Sequence, residues 1–388
     1  MPGFELVGQE ELAEISDIFS NANGVQFRLG FDQLRNGIFK VAQFENEFSK
    51  KMNCKHGLAV TSGTAALKVA LKALGVGPGD EVITQAFTFV ATIEAIVECG
   101  ATPVIAQIDD NLDIDVKSLE SLITQKTKAI IPVHMLGVPC DIKSIVAIGK
   151  KHGIKVIEDT AWGCGALLEG QALGTFGDMG CFSFDYAKAL TTGEGGMIIT
   201  NNSDIDFRAR SYHDHGHENN PELKRWEDSR HGSGFNYRMT EMQGAFGLAQ
   251  LRKLDRIIAG QRNIKSEVDS ILGSEFSGKI RLRKTPKNSQ ESADALVFQV
   301  ESPALALSCR NALLKEGIST KILPEALTWH FAGHWNHIPA LLNRHGNLEN
   351  EFKTSRQYLS CSVSLPISLN TKSDFAPKVV KSLKSVLI

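Results

Sequence analysis

The chain has 388 residues, of which 42% are apolar, and its 42 basic and 44 acidic side chains give a formal net charge of −2. This length and composition can form a substantial core divided between a large and a smaller domain. The near balance of charge supplies no field that would recruit nucleic acid or an anionic membrane, so we expect small-molecule partners. The seven cysteines are scattered and form no Cys-x-x-Cys pair, which indicates reduced thiols rather than disulfides.

Residues 1–16 are acidic and lack the basic stretch and apolar core of a signal peptide. No later segment has the ~20 consecutive apolar residues that span a bilayer. We therefore expect a cytoplasmic protein with no membrane partner.

Apolar runs alternate with helical-period segments from residue 58 to about residue 200, which predicts an α/β fold with a mostly parallel sheet. The runs that predict strands are LAVTSG, EVITQA, TPVIAQID, KAIIPVHM, IKVIEDT and GMIITN. Further along, we predict helices over 239–272, 305–317 and 375–387 and a strand over 295–300. We expect a large domain over 1–253 and a smaller C-terminal α+β domain over 254–388.

Small hydrogen-bonding residues at 61–67, TSGTAAL, lie between a predicted strand and a predicted helix. Free backbone amides and the helix dipole can bind a phosphate there. The alternative is an ordinary helix cap, which Ser and Thr commonly provide. No Walker lysine or G-x-G-x-x-G motif follows a strand, so the usual nucleotide-binding loops are not supported.

The apolar run that begins at Val156 ends in two acids, Glu158 and Asp159. Carboxylates at the C-terminal end of a strand point into the crevice where open α/β sheets bind ligands. An acid there can keep the pyridine nitrogen of a cofactor protonated, so that the ring draws electrons from a neighbouring carbanion. A metal-binding or helix-capping aspartate is the alternative.

Lys188 follows the apolar run CFSF and precedes the glycine-rich turn TTGEGG. A desolvated lysine is partly neutral and can attack a carbonyl to form a Schiff base. An isolated lysine is more often a surface charge, but this one is flanked by an apolar strand and a tight turn.

These three elements occur in an order that is typical of a known family. The chain resembles, over nearly its whole length, the DegT/DnrJ/EryC1/StrS sugar aminotransferases of the fold-type I pyridoxal-phosphate (PLP) superfamily. The matching motifs are Phe44-Glu45, TSGTAAL, TFVAT, GATPV, VHMLGVPCDI, EDTAWGCGA, SFDYAK, TTGEGG, His215-Gly216 and GFNYRMTEMQGA. The resemblance implies PLP as the cofactor and an aspartate aminotransferase-like fold.

The resemblance also implies roles for individual residues. Lys188 would hold PLP as an imine and then move a proton as acid and base, Asp159 would pair with the pyridine nitrogen, and Phe89 would stack on the ring. The residues that match the family's phosphate binders are Gly63, Thr64, Ala65 and Ser183. Asn236 matches a residue that family members donate from the neighbouring subunit, which implies a homodimer with shared active sites.

Trp162 departs from the family pattern, which commonly has Gln or His at this position. The indole would therefore change the contacts with the cofactor ring or the shape of the sugar pocket. Relatives that replace the lysine by His are sugar dehydratases. Because this chain keeps Lys188, we expect transamination.

Two histidine groups could bind a metal: His213, His215 and His217, and His330, His334 and His337. A strand would place the first group on one side, and a helix would place the second on one face. Because no other ligand spacing accompanies them, we expect no metal site. We predict instead that His215, His330 and Tyr186 contact substrate.

The polar segment 212–230 contains Lys224, Arg225 and Arg230 and could form a wall that faces an anionic substrate. An exposed loop with ordinary surface charge is the alternative.

The phrases HDHGHENNPE, WHFAGHWNHIPAL and SFDYAK resemble a branch of the family that takes a free acidic sugar. The resemblance implies transfer of an amino group from L-glutamate to the 8-oxo form of 3-deoxy-manno-octulosonate, giving 8-amino-3,8-dideoxy-manno-octulosonate for lipopolysaccharide. One alternative is a nucleotide-diphospho-4-keto-6-deoxy sugar aminotransferase. A cofactor-binding regulator without turnover is the alternative from another class, although no basic helix-turn-helix segment accompanies the motifs.

Overall fold

The computed structural model describes residues 3–220, 222–324 and 327–388. The helices are α1 Gln9–Asn21, α2 Lys40–Lys51, α3 Gly63–Ala73, α4 Ala91–Glu98, α5 Val116–Ser121, α6 Ile142–His152, α7 Ser203–His213, α8 Glu241–Glu275, α9 Pro303–Lys315, α10 Leu327–His330, α11 Pro339–His345, α12 Leu348–Glu351, α13 Lys353–Ser360 and α14 Phe375–Leu387. Short 3-10 turns lie at Phe4–Leu6, Asp32–Leu34, Met135–Gly137 and Ala332–His334. The strands are β1 His56–Val60, β2 Glu81–Gln85, β3 Thr102–Ala106, β4 Thr127–Ile130, β5 Lys155–Asp159, β6 Leu167–Leu168, β7 Gln171–Ala172, β8 Met179–Ser183, β9 Gly196–Thr200, β10 Arg281–Leu282, β11 Ser289–Gln290, β12 Ala295–Gln299 and β13 Ser362–Pro366.

The main sheet has seven strands in the order β1-β9-β8-β5-β4-β2-β3. Neighbours from β8 to β3 are parallel, whereas β9 runs antiparallel to both β1 and β8. This confirms the predicted α/β class. Six strands therefore end at the same edge of the sheet, where α/β proteins bind ligands.

Both faces of this sheet are covered. In β1, Leu58 and Val60 pack into the core on one face, while Ala59 packs into the core on the other. Side chains alternate between faces in the same way along β9, where Ile198 lies on one face and Met197 and Ile199 lie on the other. Strands buried on both faces need continuous apolar runs, which is why the sequence signals them clearly.

The C-terminal part contains the small antiparallel sheet β10-β12-β13, against which α9, α14 and the end of α8 pack. The predicted strand over 295–300 and the three predicted helices are present as β12, α8, α9 and α14. The predicted domain boundary at 253/254 falls inside α8 and stays a prediction. Strand β11 pairs with β6 of the N-terminal part, so the two parts share hydrogen bonds as well as apolar contacts.

Within residues 3–220, 222–324 and 327–388, none of the helices combines the length and hydrophobicity needed to traverse a bilayer.

Candidate active site

A cavity of about 360 Å³ opens at the edge where the parallel strands end. It is lined by residues that follow β1, β2, β5 and β8 and by the end of α10. The sequence-predicted residues that line it are Gly63, Thr64, Phe89, Asp159, Trp162, Ser183, Lys188 and His330. Residues distant in sequence thus converge because their strands are neighbours in one sheet.

The first amino-terminal turn of α3 forms one wall of this cavity. The Ser62 hydroxyl caps the helix by accepting the N–H of Ala65 at 3.0 Å. Gly63 packs so closely on Ser183 that an added Cβ would lie 2.7 Å from the Ser183 Cβ. Only glycine fits there, and it leaves backbone amides and the Thr64 and Ser183 side chains beside the cavity. A helix N-terminus with this donor set fits a phosphate group.

Asp159, the last residue of β5, lies buried at the cavity floor. Its Oδ2 accepts the Thr92 hydroxyl at 2.9 Å, and its Oδ1 accepts the Ala161 N–H at 3.2 Å. Burial raises the pKa of this carboxyl group, while these two hydrogen bonds oppose that change. A cationic ring nitrogen opposite the carboxylate would offset the cost of burying its charge, so the residue fits the pyridine ring of PLP.

The neighbouring acid, Glu158, points to the other side of β5 and has a structural role. Its carboxylate accepts backbone N–H groups of Gly174, Phe176 and Gly177 at 2.7–2.8 Å and lies 3.0 Å from the Nε2 atom of His134. Alternation along the strand separates the two acids, so only Asp159 reaches the cavity.

Lys188 is half-buried, and its Nζ atom lies 3.5 Å from the centroid of the Trp162 ring. Burial lowers the pKa of this amine to about 8, against the opposing charges of Asp294 and Asp185. The neutral amine, which is the nucleophilic form, is therefore available near physiological pH. This is the property that covalent attachment of an aldehyde cofactor requires.

A second lysine, Lys321, lies beside the same indole. Its Nζ atom is 4.8 Å from the Trp162 ring centroid and 2.7 Å from the Oδ2 atom of Asp294. Both members of this ion pair are buried, and burial lowers the pKa of Lys321. Sequence reasoning missed this pair because each residue is single and belongs to no motif.

Phe89 and His330 also line the cavity. The Phe89 ring is parallel to that of Trp329, with 6.1 Å between centroids and 6° between planes, and lies 5.3 Å from the His330 ring. Backbone bonds from Thr88 to His330 and from Val90 to Trp329 join the two segments. Trp329, which sequence reasoning missed, is 60% exposed and contacts the cavity through its stacking on Phe89.

Four predicted site residues lie outside the cavity lining. Ala65 is buried beneath the α3 turn, and Tyr186 is 57% exposed and stacks on Phe4. His215 and Asn236 are both exposed at neighbouring positions, where Asp214 pairs with Asn236. Their roles in substrate, cofactor or subunit contact stay predictions.

The histidine groups adopt neither of the regular geometries considered from sequence. His213 ends α7 with its Nε2 atom 3.4 Å from Arg28, and after a turn in which His215 has φ 54°, His217 contacts Asp228 at 3.0 Å. His330 ends α10, and the helix does not continue to the later histidines. Within the part of the chain that the structure describes, no group of three or more His, Cys, Asp or Glu side chains is placed to hold a metal ion.

The basic segment 212–230 is partly neutralised. Arg225 forms a two-pronged ion pair with the buried Asp214, at 2.9 and 2.6 Å, and Arg238 contacts the same carboxylate. These bonds hold the pKa of Asp214 at about 2, although burial opposes them. Arg225 is therefore engaged within the chain rather than presented to a substrate.

Comparison with known sequences places this site in a family. A sequence model of the DegT/DnrJ/EryC1/StrS aminotransferase family matches residues 22–384. GDP-perosamine synthase of Caulobacter vibrioides is 42% identical over 225 residues, which is 58% of this chain and 59% of that protein. The spore coat polysaccharide biosynthesis protein SpsC of Bacillus subtilis is 32% identical over 398 residues, covering 98% of this chain and 95% of that protein.

Solved structures share the whole fold. An aminotransferase from Psychrobacter cryohalolentis is 29% identical and superposes with a TM-score of 0.86, covering 98% of this chain and 97% of that one. A Streptococcus pneumoniae structure in a PLP form is 24% identical, with a TM-score of 0.82 over 98% of this chain and 96% of that one, and shows the fold alone. The chain belongs to the DegT/DnrJ/EryC1/StrS aminotransferase family.

Proposed function

We propose that this protein is a PLP-dependent aminotransferase that transfers an amino group from L-glutamate to the carbonyl group of a sugar. One observation supports this most directly: Lys188, with a pKa of about 8, and the buried Asp159 face the same cavity. Aminotransferases of the family use PLP, and the donor set of the cavity fits that cofactor.

Different residues of the cavity would bind different parts of PLP. The α3 turn at Gly63 and Thr64, with Ser183, would hold the phosphate, and Asp159 would hold a proton on the ring nitrogen. Phe89 would cover one face of the ring. When bound, PLP supplies an electron sink that stabilises negative charge on the carbon next to the transferred nitrogen.

Lys188 would act as the base and acid. With its lowered pKa, Nζ can take a proton from the α-carbon of the amino donor and return it to a neighbouring carbon. The Trp162 ring, 3.5 Å from Nζ, limits where the amine can move and keeps water from one side of it. An amine whose movement is restricted to the space between these two carbons is well placed to carry the proton from one to the other.

For the amino acceptor we propose the 8-oxo form of 3-deoxy-manno-octulosonate, with the product entering lipopolysaccharide. The support is the resemblance of segments 213–222 and 329–341, of which the second places Trp329 and His330 beside Phe89. His215, Tyr186 and His330 remain the proposed sugar contacts. We also propose a cytoplasmic homodimer in which Asn236 completes the site of the other subunit.

A nucleotide-diphospho-4-keto-6-deoxy sugar is the second candidate acceptor. The name of the relative that is 42% identical, GDP-perosamine synthase, favours it. The aligned region covers 59% of that relative, so its acceptor is not carried over to this chain, and the two candidates are distinguished by experiment.

The test is an absorbance titration of the purified, PLP-loaded protein with L-glutamate, followed by either sugar, with Lys188→Ala as the control. Loss of the lysine–cofactor band with glutamate and its return with the octulosonate aldehyde would support both the reaction and the acceptor. Return with the nucleotide sugar alone would reassign the acceptor. No change with any amino donor would favour a regulator that binds the cofactor without turnover.

A further inference from the structure

The amino-terminal segment contacts the loop that carries Lys188. The N–H of Gly3 donates to the Lys188 carbonyl oxygen at 3.2 Å. The next side chain, Phe4, stacks on Tyr186 with 4.7 Å between ring centroids and 17° between planes. We name Gly3 together with the turn Phe4–Leu6 the N-terminal strap.

The strap lies too close to this loop for any side chain at its first position. A Cβ added to Gly3 would lie 2.6 Å from the Lys188 carbonyl oxygen and 3.0 Å from that of Ala189. Both are backbone atoms and cannot rotate away, so the strap or the loop would have to shift. Gly3 is needed for this close approach and not for its backbone angles, which are helical.

The other end of the strap is bound to distant parts of the chain. The Glu5 carboxylate accepts the Ser368 hydroxyl at 2.7 Å and the Leu369 N–H at 2.8 Å. The Leu6 carbonyl oxygen accepts the Lys253 ammonium of α8 at 2.7 Å. The strap therefore joins the lysine loop to α8 and to the segment that follows β13.

Within the loop itself, hydrogen bonds fix the side that precedes Lys188. The Lys188 N–H donates to the Asp185 carbonyl oxygen, and the Ala187 N–H donates to the Asp185 side chain, both at 2.9 Å. The strap supplies the partner for the Lys188 carbonyl group on the following side. A shift of the backbone at Lys188 would move its Cα atom and so displace Nζ from the Trp162 ring.

We propose that the N-terminal strap is a positioning element for the proposed catalytic lysine, holding the backbone of the loop at Lys188 in place so that its amine stays in the cavity. The proposal rests on the proposed function for the meaning of Lys188. A displacement of about 1 Å at a reacting group can lower a rate about a hundredfold. A strap that is anchored to α8 and to 368–369 makes this placement depend on the C-terminal part of the chain.

The test compares Gly3→Ala with Gly8→Ala, the same substitution five positions further along. A Cβ at Gly8 meets only the Glu10 carboxylate, at an ordinary 3.5 Å. Two quantities are measured on the full chain: kcat and KM for both substrates, and the rate at which the lysine–cofactor band forms when PLP is added to cofactor-free protein.

We expect Gly3→Ala to lower kcat and the rate of band formation about ten- to a hundredfold with little change in KM, and Gly8→Ala to behave as wild type. Thermal unfolding would separate loss of position from loss of fold. Band formation needs no substrate, so it reports on the strap even if no sugar is turned over. Equal rates for the two variants would overturn the proposal.

If Gly3→Ala does not fold, Phe4→Leu decides, because it introduces no clash and removes the stacking on Tyr186, which is the strap's second contact with the lysine loop. A slower band formation in Phe4→Leu, with unchanged thermal unfolding, would support the positioning role. A wild-type rate in that variant would contradict it.

Discussion

Replacing Thr92 by valine tests how the buried acid of the site is held. The substitution keeps the side-chain shape and removes the hydroxyl that donates to Asp159 at 2.9 Å. Thr92 is 1% exposed, so water does not replace the lost donor. A hydrogen bond to a charged group contributes about 1.5–3 kcal/mol. We therefore expect the rate of the glutamate half-reaction to fall about 10- to 150-fold.

The sign of the pH dependence follows from the same bond. Burial already raises the pKa of Asp159, and the Thr92 hydrogen bond opposes this, so its removal raises the pKa further. The carboxylate form then requires a higher pH. The loss in Thr92→Val should be greatest at low pH and should shrink as the pH rises.

The assay is stopped-flow absorbance of the PLP-loaded protein mixed with L-glutamate. Thr92→Ser keeps the hydroxyl and should retain most of the rate. Thr88→Val should have a smaller effect than Thr92→Val, because Thr88 contacts the Thr92 hydroxyl at 2.7 Å and not the carboxylate. A Thr92→Val rate within about twofold of wild type, which is under about 0.5 kcal/mol, would refute the reasoning.

Four further outcomes can be measured directly. In cofactor-free protein, labelling of Lys188 by an amine-reactive probe should rise with pH around a midpoint near 8, rather than near 10.5, when followed by peptide mass spectrometry. Asp294→Asn should move that midpoint to lower pH, because Asp294 is the charge that most raises the pKa of Lys188; an upward move would contradict the assignment. Gly63→Val should weaken retention of PLP during dialysis by about tenfold or more, because overpacking costs about 1–3 kcal/mol and the new side chain would collide with Ser183. Glu158→Gln should lower the free energy of unfolding in denaturant by about 3–5 kcal/mol, since it breaks a buried charged network; a change under about 1 kcal/mol would show that amide oxygens suffice there.

The sequence predicts much of the main sheet because its strands are buried on both faces and so appear as apolar runs. It does not predict the direction of β9, which pairs antiparallel with β1 and β8. Strand direction depends on how the preceding connection crosses the sheet, and no residue within 196–200 encodes it.

The site residues also fall into those that the sequence predicts and those that it does not. The α3 turn, Asp159 and Lys188 belong to local motifs, so they could be found one by one. Alternation along β5 separates Glu158 from Asp159, but the sequence alone does not say which of the two faces the cavity. The Asp294–Lys321 pair has no local pattern, because tertiary packing brings two single residues of the C-terminal part beside Trp162.

Helix α8 has a mechanical consequence for the molecule. Its 35 residues extend about 52 Å without a break, from the capping Thr240 beside the main sheet to the core of the small sheet. A continuous helix transmits rotation along its axis, so its two ends cannot hinge independently as they would across a loop. A tilt of the small sheet would therefore move Lys253, which binds the strap. Through the strap, it would also move the backbone at Lys188.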